Sequence, residues 1–310
     1  MKAIAMDRYG GPEVLRYGDM PEPKVGPESV LIDVKAAGVN PVDWLVRSGK
    51  ADPMYVTHFP AIPGWDVAGV VAEVGINVTR VVPGDRVIAY ARQDWIEFGT
   101  YAERVAAPDR GVIRKPDGLG WAAAAGLPLA GTTAYQTLVK ALRIRPEETL
   151  LVHAAAGGVG SFAVQIGVAL GARVIGTAGA RNHDFLRELG AEPVAYGDGL
   201  AARVRELAPD GVDAAADFFG GEALEISPGL LRKPSRLASI VEFARVRELG
   251  GQAVYLRPDV DDMEALARMT DEGGVRVEIA EILPLSEAAE AHRIGERRHT
   301  RGKLVLDVAL

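Results

Sequence analysis

The sequence predicts an α/β chain in two parts, a first lobe of β-strands and then a doubly wound parallel sheet flanked by helices. Two textures and one turn predict this. Up to about residue 115, glycine and proline punctuate short β-type runs. From about Trp121, alanine-rich helical stretches alternate with short apolar strands, and a glycine-rich turn joins the first of those strands to its helix.

At 310 residues the chain exceeds one typical domain, so two lobes with separate cores are expected. The net charge of -7, with no long Lys/Arg run to offset it, argues against a nucleic-acid partner. Cysteine is absent, which excludes disulfides, thiolate chemistry, iron–sulfur clusters and every zinc site that needs a Cys ligand. Histidines at 58, 153, 183, 292 and 299 form no short ligand pair, so no metal is expected. The opening MKAIAMDRYGG carries Lys2, Asp7 and Arg8 where a secretory signal needs an apolar core, and a soluble, cytoplasmic protein is the expectation.

In the first lobe, residues 29–36 (SVLIDVKA), 66–74 (DVAGVVAEV) and 85–90 (DRVIAY) read as strands. Pro63-Gly64 and Pro83-Gly84 precede two of them, as in a compact β-barrel. Residues 121–142 read as helical, 149–154 as a strand, the segment to 170 as a helix and 172–178 as a strand. The alternation continues with a helix at 182–190, a strand at 193–196, a helix at 200–208, a strand at 212–219, a helix near 222–231 and a strand at 236–243. Residues 259–270 and 286–296 then read as helices, and 275–283 and 303–310 as strands. Residues 149–172 carry no Asp, Glu, Lys or Arg, which raises the question of a membrane span. Gly157, Gly158 and Gly160 break that run, and a buried parallel strand followed by a close-packed helix accounts for it better.

The segment 150–160, LLVHAAAGGVG, holds the chemistry. Gly157 lets the backbone approach a pyrophosphate, Gly160 lets the helix pack on the strand, and Gly158 and Val159 present N–H groups at the positive end of the helix dipole. Ala155 stands where the first glycine of the dinucleotide fingerprint belongs. The alternative is a buried Ala/Gly-rich helix start with no ligand. About 20 residues on, where an NAD site places an acid against the ribose, the chain reads Thr177, Ala178, Gly179, Ala180, Arg181. With no carboxylate and a cation close behind, NADPH is favoured over NADH. A solvated Arg181 at a helix start is the plain alternative.

These motifs resemble the quinone oxidoreductases of the zinc-independent medium-chain dehydrogenase/reductase superfamily, including ζ-crystallin-like and alkenal/enoyl reductases. The resemblance rests on AAGVNPVDWLVRSG (36–49), FPAIPGWDVAGVVAEVG (59–75), VVPGDRVIA (81–89), GTYAERVAAP (99–108), AAAAGLPLAGTTAYQTL (122–138), the stretch 150–179 and RHTRGKLVLDV (298–308). It implies a GroES-like β-barrel lobe (1–122) interrupted by a Rossmann domain (123–260), with residues 261–310 returning to the first lobe and the active site in the cleft. In zinc alcohol dehydrogenases of that superfamily a cysteine and a histidine ligand fall where this chain has Asn40 and Trp65, and the structural-zinc loop is shortened here to residues 92–98.

The same resemblance places Asn40 and Thr133 on the nicotinamide side of the cofactor, Tyr196 near the adenosine 2′-phosphate, and Phe218 with Gly220 over the adenosine. Ser239, Ile240 and Val241 fall beside the nicotinamide ribose, and Asn40, Asp43 and Trp65 on the substrate side. Trp65 filling the core, Asp43 capping a helix turn and Tyr196 merely packing are the structural alternatives. Many relatives carry a tyrosine just after the position of Asp43; Trp44 and Leu45 stand there in this chain. Relatives are commonly dimers through the edge of the Rossmann sheet, so residues 236–243 and 250–258 are candidates for a homodimer edge.

The reaction expected is NADPH-dependent hydride transfer to a quinone, enone or enoyl acceptor, whose developing charge is delocalised on to oxygen and needs only modest help. A biosynthetic enoyl reductase or ketoreductase is one alternative. A non-catalytic NADPH sensor or structural protein is another.

Overall fold

The computed structural model describes residues 1–309, apart from the side chain of Pro234. Its chain divides into two compact units: Met1–Leu129, Pro258–Asp271 and the chain from Val277 on form the first, and Ala130–Arg257 with Glu272–Arg276 the second. The first unit opens with β1 (Lys2–Ala5), β2 (Arg16–Asp19), β3 (Ser29–Val39), β4 (Val56–Ile62), β5 (Asp66–Val74), β6 (Arg86–Tyr90), β7 (Trp95–Phe98), β8 (Arg104–Pro108) and β9 (Val112–Arg114). Helix α1 (Pro41–Arg47) follows β3, α2 (Trp121–Gly126) follows β9, and α3 (Pro128–Tyr135) leads into the second unit.

The second unit is a parallel sheet of β10 (Thr149–Val152), β11 (Arg173–Ala178), β12 (Glu192–Ala195), β13 (Ala214–Asp217), β14 (Leu237–Ser239) and β15 (Gln252–Ala253). The strands lie in the order β12-β11-β10-β13-β14-β15, all pairs parallel, which is the doubly wound order 3-2-1-4-5-6. Helices α4 (Gly158–Ala169), α5 (His183–Glu188), α6 (Leu200–Leu207), α7 (Glu222–Ile226) and α8 (Phe243–Glu248) connect them. Leu151, Ile175, Ala215 and Leu237 form a row across the sheet and cluster with Val194, Leu200, Val204, Leu224 and Val246. Residues 149–172 are accounted for by β10 and α4, and among the described residues no helix is long and apolar enough to cross a membrane.

The chain then returns through α9 (Val260–Asp271), β16 (Ile279–Pro284), α10 (Ala288–Glu296) and β17 (Lys303–Asp307). β17 pairs antiparallel with β3, Leu304 opposite Val39, so the C-terminus completes the first unit's sheet, ordered β16-β17-β3-β5-β6-β9 with β8 also on β3. Val30, Ile32 and Val34, at period two on β3, meet Val67, Val71, Val87 and Val105 in its core.

Several predicted elements differ from the observed ones. Residues 121–142 do not form one helix: Pro128 starts a new one, and Gln136–Ala141 winds as a π-helix. The strand predicted at 212–219 stops at Asp217, whose carboxylate accepts the N–H groups of Phe219 and Gly220. That predicted at 236–243 stops at Ser239, whose hydroxyl accepts from Val241 N, and Phe243 already begins α8. The strand read at 275–283 starts at Ile279, because Gln165 on α4 holds residue 276 in the second unit, accepting from Arg276 N at 2.8 Å and donating to Arg276 O at 3.0 Å.

Candidate functional site

In the second unit, β10 ends in a turn whose backbone explains its small residues. Ala154 takes a left-handed φ of 54°, folding the chain back so that a Cβ at position 160 would lie 2.1 Å from the Ala154 carbonyl oxygen. Gly160 is therefore required by close packing. Ala155 fits where the fingerprint has glycine because Gly176 faces it: a Cβ there would come 2.9 Å from the Ala155 Cβ. Gly157 is the extended N-cap of α4 and has no side chain to take the first-turn N–H groups. Gly158, Val159 and Gly160 thus form an uncapped helix start that suits a pyrophosphate.

The turn is braced from below by His153, which the sequence reading did not single out. It is fully buried, with Nδ1 3.3 Å from Thr177 Oγ1 and Nε2 3.0 Å from Ser227 Oγ. Burial pushes its pKa down to about 4, so the ring is a neutral strut at neutral pH.

At the end of β11, Ala178 is buried and Arg181 exposed, in a short 3-10 turn. Tyr196 comes to this segment from the next loop, its hydroxyl 3.6 Å from where a Cβ on Gly179 would sit. The Arg203 guanidinium fixes that loop, donating to Ala195 O at 2.8 Å, Gly197 O at 3.1 Å and Asp198 O at 2.7 Å. Phe218, Gly220, Ser239, Ile240 and Val241 gather around Asp217, another residue the sequence reading missed. Besides Phe219 and Gly220, Asp217 accepts from the Ser239 hydroxyl at 2.7 Å, and its carbonyl accepts from Ile240 N at 3.3 Å. Phe218 is half-buried whereas Phe219 is exposed. Tyr196, Phe219, Val241 and Tyr255 are the exposed large apolar side chains just after β12, β13, β14 and β15, the carboxyl ends where doubly wound sheets take ligands. Thr133 lies buried on α3, its carbonyl accepting from Thr137 Oγ1 at 2.7 Å.

In the first unit, Asn40 and Asp43 belong to a buried polar network. Asp43, at the third position of α1, accepts from Asn40 N at 2.8 Å and from the Tyr101 hydroxyl at 2.7 Å. Tyr101 also contacts His292 Nε2 at 3.3 Å, whose Nδ1 lies 3.1 Å from Arg47, and Arg47 reaches Glu296 at 2.6 Å. Burial raises the Asp43 pKa to about 7 and lowers that of His292, beside Arg47, to about 3. Asn40 Nδ2 donates to Asp66 at 2.9 Å, and Asn40 Oδ1 accepts from Lys303. Trp65 is buried edge-on to Tyr55 and Tyr90, with ring centroids 5.3 and 6.0 Å away. Trp44 packs on α10 against His292 and Gly295. Leu45 is exposed.

The alcohol dehydrogenase GroES-like domain family matches residues 26–117, and the zinc-binding dehydrogenase family residues 189–306. The quinone oxidoreductase of Pseudomonas aeruginosa is 36% identical, over 98% of this chain and 99% of its own. The chain belongs to the quinone oxidoreductase family. Among solved structures, the quinone oxidoreductase from Coxiella burnetii matches this family member with a TM-score of 0.88 and 35% identity, over 99% of each chain. Mycobacterial Rv1454c complexed with NADPH matches with a TM-score of 0.87 and 31% identity, over 99% of this chain and 100% of that one. This quinone oxidoreductase family member is an NAD(P)H-dependent reductase with a nicotinamide cofactor.

Zinc, named in one matching family's description, does not fit the residues present. Trp65 offers no ligand, no cysteine exists, and the oxygens of Asn40 and Asp66 already face the Lys303 ammonium, a fixed cation that would repel the metal. A dinucleotide does fit, as the uncapped start of α4 and the row of exposed side chains beyond β12 to β15 indicate.

Proposed function

We propose that this chain transfers hydride from NADPH to a quinone or an α,β-unsaturated carbonyl, without a metal. The observation that carries the cofactor choice is the end of β11, where Ala178 and Gly179 replace an acid, Tyr196 lies beside Gly179 and the exposed Arg181 follows two residues on. NADPH, when bound, supplies the hydride; the residues described here bind, orient and stabilise. Gly157, Gly158, Val159 and Gly160 hold the pyrophosphate, Arg181 and Tyr196 the 2′-phosphate, and Ser239 to Val241 with Thr133 the nicotinamide half.

Asn40 orients the nicotinamide ribose and a proton-donating water, and Trp65 shapes the acceptor side. Asp43 acts through Asn40, because its carboxylate already accepts from Asn40 N and Tyr101. Tyr101 is likewise engaged with Asp43, so reduction of an isolated ketone, which demands a strong electrophile, is disfavoured. A conjugated acceptor needs less. In this reading the protein is a homodimer joined through β15, the last strand of the second unit's sheet.

Stopped-flow oxidation of NADPH against a panel of quinones, enones and saturated ketones tests the reaction. Oxidation by conjugated acceptors alone is expected. Tight NADPH binding with no oxidation by any acceptor would sink the enzymatic reading and leave a sensor.

A further inference from the structure

The role given to Asn40 depends on which end of its carboxamide is available, and Lys303 decides that. Lys303 opens β17, and its side chain is only 3% exposed. The ammonium donates to Asn40 Oδ1, donates to the Val39 carbonyl at 3.1 Å and stands 3.8 Å from Asp66 Oδ2. Asp66, fully buried, accepts from Asn40 Nδ2 at 2.9 Å and from Leu129 N at 2.8 Å. An ammonium can only donate and a carboxylate can only accept, so the pair assigns both ends of the amide. One Nδ2 proton remains for another partner.

Burying a lysine is costly unless its charge is answered, and Asp66 with two carbonyl-type oxygens answers it here. Burial alone would push the Asp66 carboxyl up; the Lys303 ammonium opposes that shift, holding it at about 6. At neutral pH the acceptor below Asn40 is therefore an anion.

We propose that Lys303 is a positioning residue that holds Oδ1 of Asn40 turned inward, so that what Asn40 offers to the cofactor or a water is an N–H donor. This rests on the reading of Asn40 above. Without the ammonium to oppose it, burial pushes the Asp66 carboxyl up further, and a protonated Asp66 would itself donate to Oδ1 or let the group rotate. An acceptor would then be presented where a donor is required.

The chain has three asparagines, Asn40, Asn77 and Asn182, so asparagine-selective ¹⁵N labelling of the whole protein yields three side-chain amide pairs, assigned through Asn40→Ala. The Asn40 pair is expected to show two well-separated proton shifts and slow exchange with solvent. Lys303→Met should move that pair and speed its exchange, and should lower kcat about tenfold to a hundredfold, the scale of a misaligned catalytic contact. Lys303→Arg, which remains a pure donor, should restore both in part. Because Lys303→Met strands Asp66, the double variant Lys303→Met/Asp66→Asn removes both charges and keeps the test alive if the single one fails to fold. An Asn40 pair that is unchanged in these variants overturns the proposal. A pair that moves while kcat does not upholds the positioning and overturns the role of Asn40 itself.

Discussion

Ser239 and Asp217 tie the carboxyl ends of two neighbouring parallel strands, β14 and β13, through a buried hydrogen bond of 2.7 Å from the serine hydroxyl to Oδ2. The same carboxylate accepts from Phe219 N and Gly220 N, so one side chain sets the start of both loops that carry proposed cofactor contacts. Ser239→Ala removes a charge-assisted donor and should cost about 1–3 kcal/mol in urea unfolding. It should also raise KM for NADPH, because both loops lose their common anchor. An unchanged KM would show that the anchor serves stability alone.

Arg181→Ala should weaken NADPH about tenfold or more, the scale of a charge-assisted phosphate contact, and leave NADH nearly as before. Initial-rate titration with both cofactors decides it. Equal losses for the two would remove Arg181 from the 2′-phosphate.

Asp43 makes stability depend on pH with a definite sign. Its pKa rises in the fold to about 7 from a model-peptide value of 3.8, so its protonated form favours folding. The stabilisation is full below about pH 4 and is lost as pH climbs through 7. Buried neutral His153 and His292 act in the opposite direction, since their lowered pKa values favour the fold as pH rises toward 6.5. Comparing melting temperatures of wild type and Asp43→Asn between pH 4 and 8 isolates the carboxylate: the variant should gain relative stability toward the alkaline end. A constant difference across that range would refute the assignment.

Gly160→Ala should be among the more damaging single changes in the second unit. The added methyl meets the Ala154 backbone carbonyl at 2.1 Å, an atom that cannot swing aside, and relief requires α4 to shift off β10. A loss of about 1–3 kcal/mol is expected, with NADPH binding by fluorescence weakened further because the first-turn N–H groups move with the helix. Retention of wild-type affinity would mean that the helix start does not hold the pyrophosphate.

Local features were readable in the sequence. The span of β5 at 66–74 and the glycine turn leave patterns of period and punctuation, whereas the return of the last strand to the first lobe followed from the family resemblance alone. What escaped was set by distant partners. Asp217 looked like part of a strand, and only its bonds to Ser239 and Gly220 show why β13 ends there. His153 reads as one more residue of an apolar run until Thr177 and Ser227 close on its two nitrogens. Lys303 meets Asn40 across 263 positions of sequence, and no periodicity encodes such a meeting.

That last separation bears on how the protein is made. The first unit's central strand β3 is synthesised before the whole second unit, yet one of its neighbours, β17, emerges only after it. The second unit, almost all of it one continuous stretch, can mature on the ribosome, while the lobe begun first waits with an open flank. Its exposed strand edge during that interval is the stage at which a nascent chain is most vulnerable to aggregation or to a chaperone's grip.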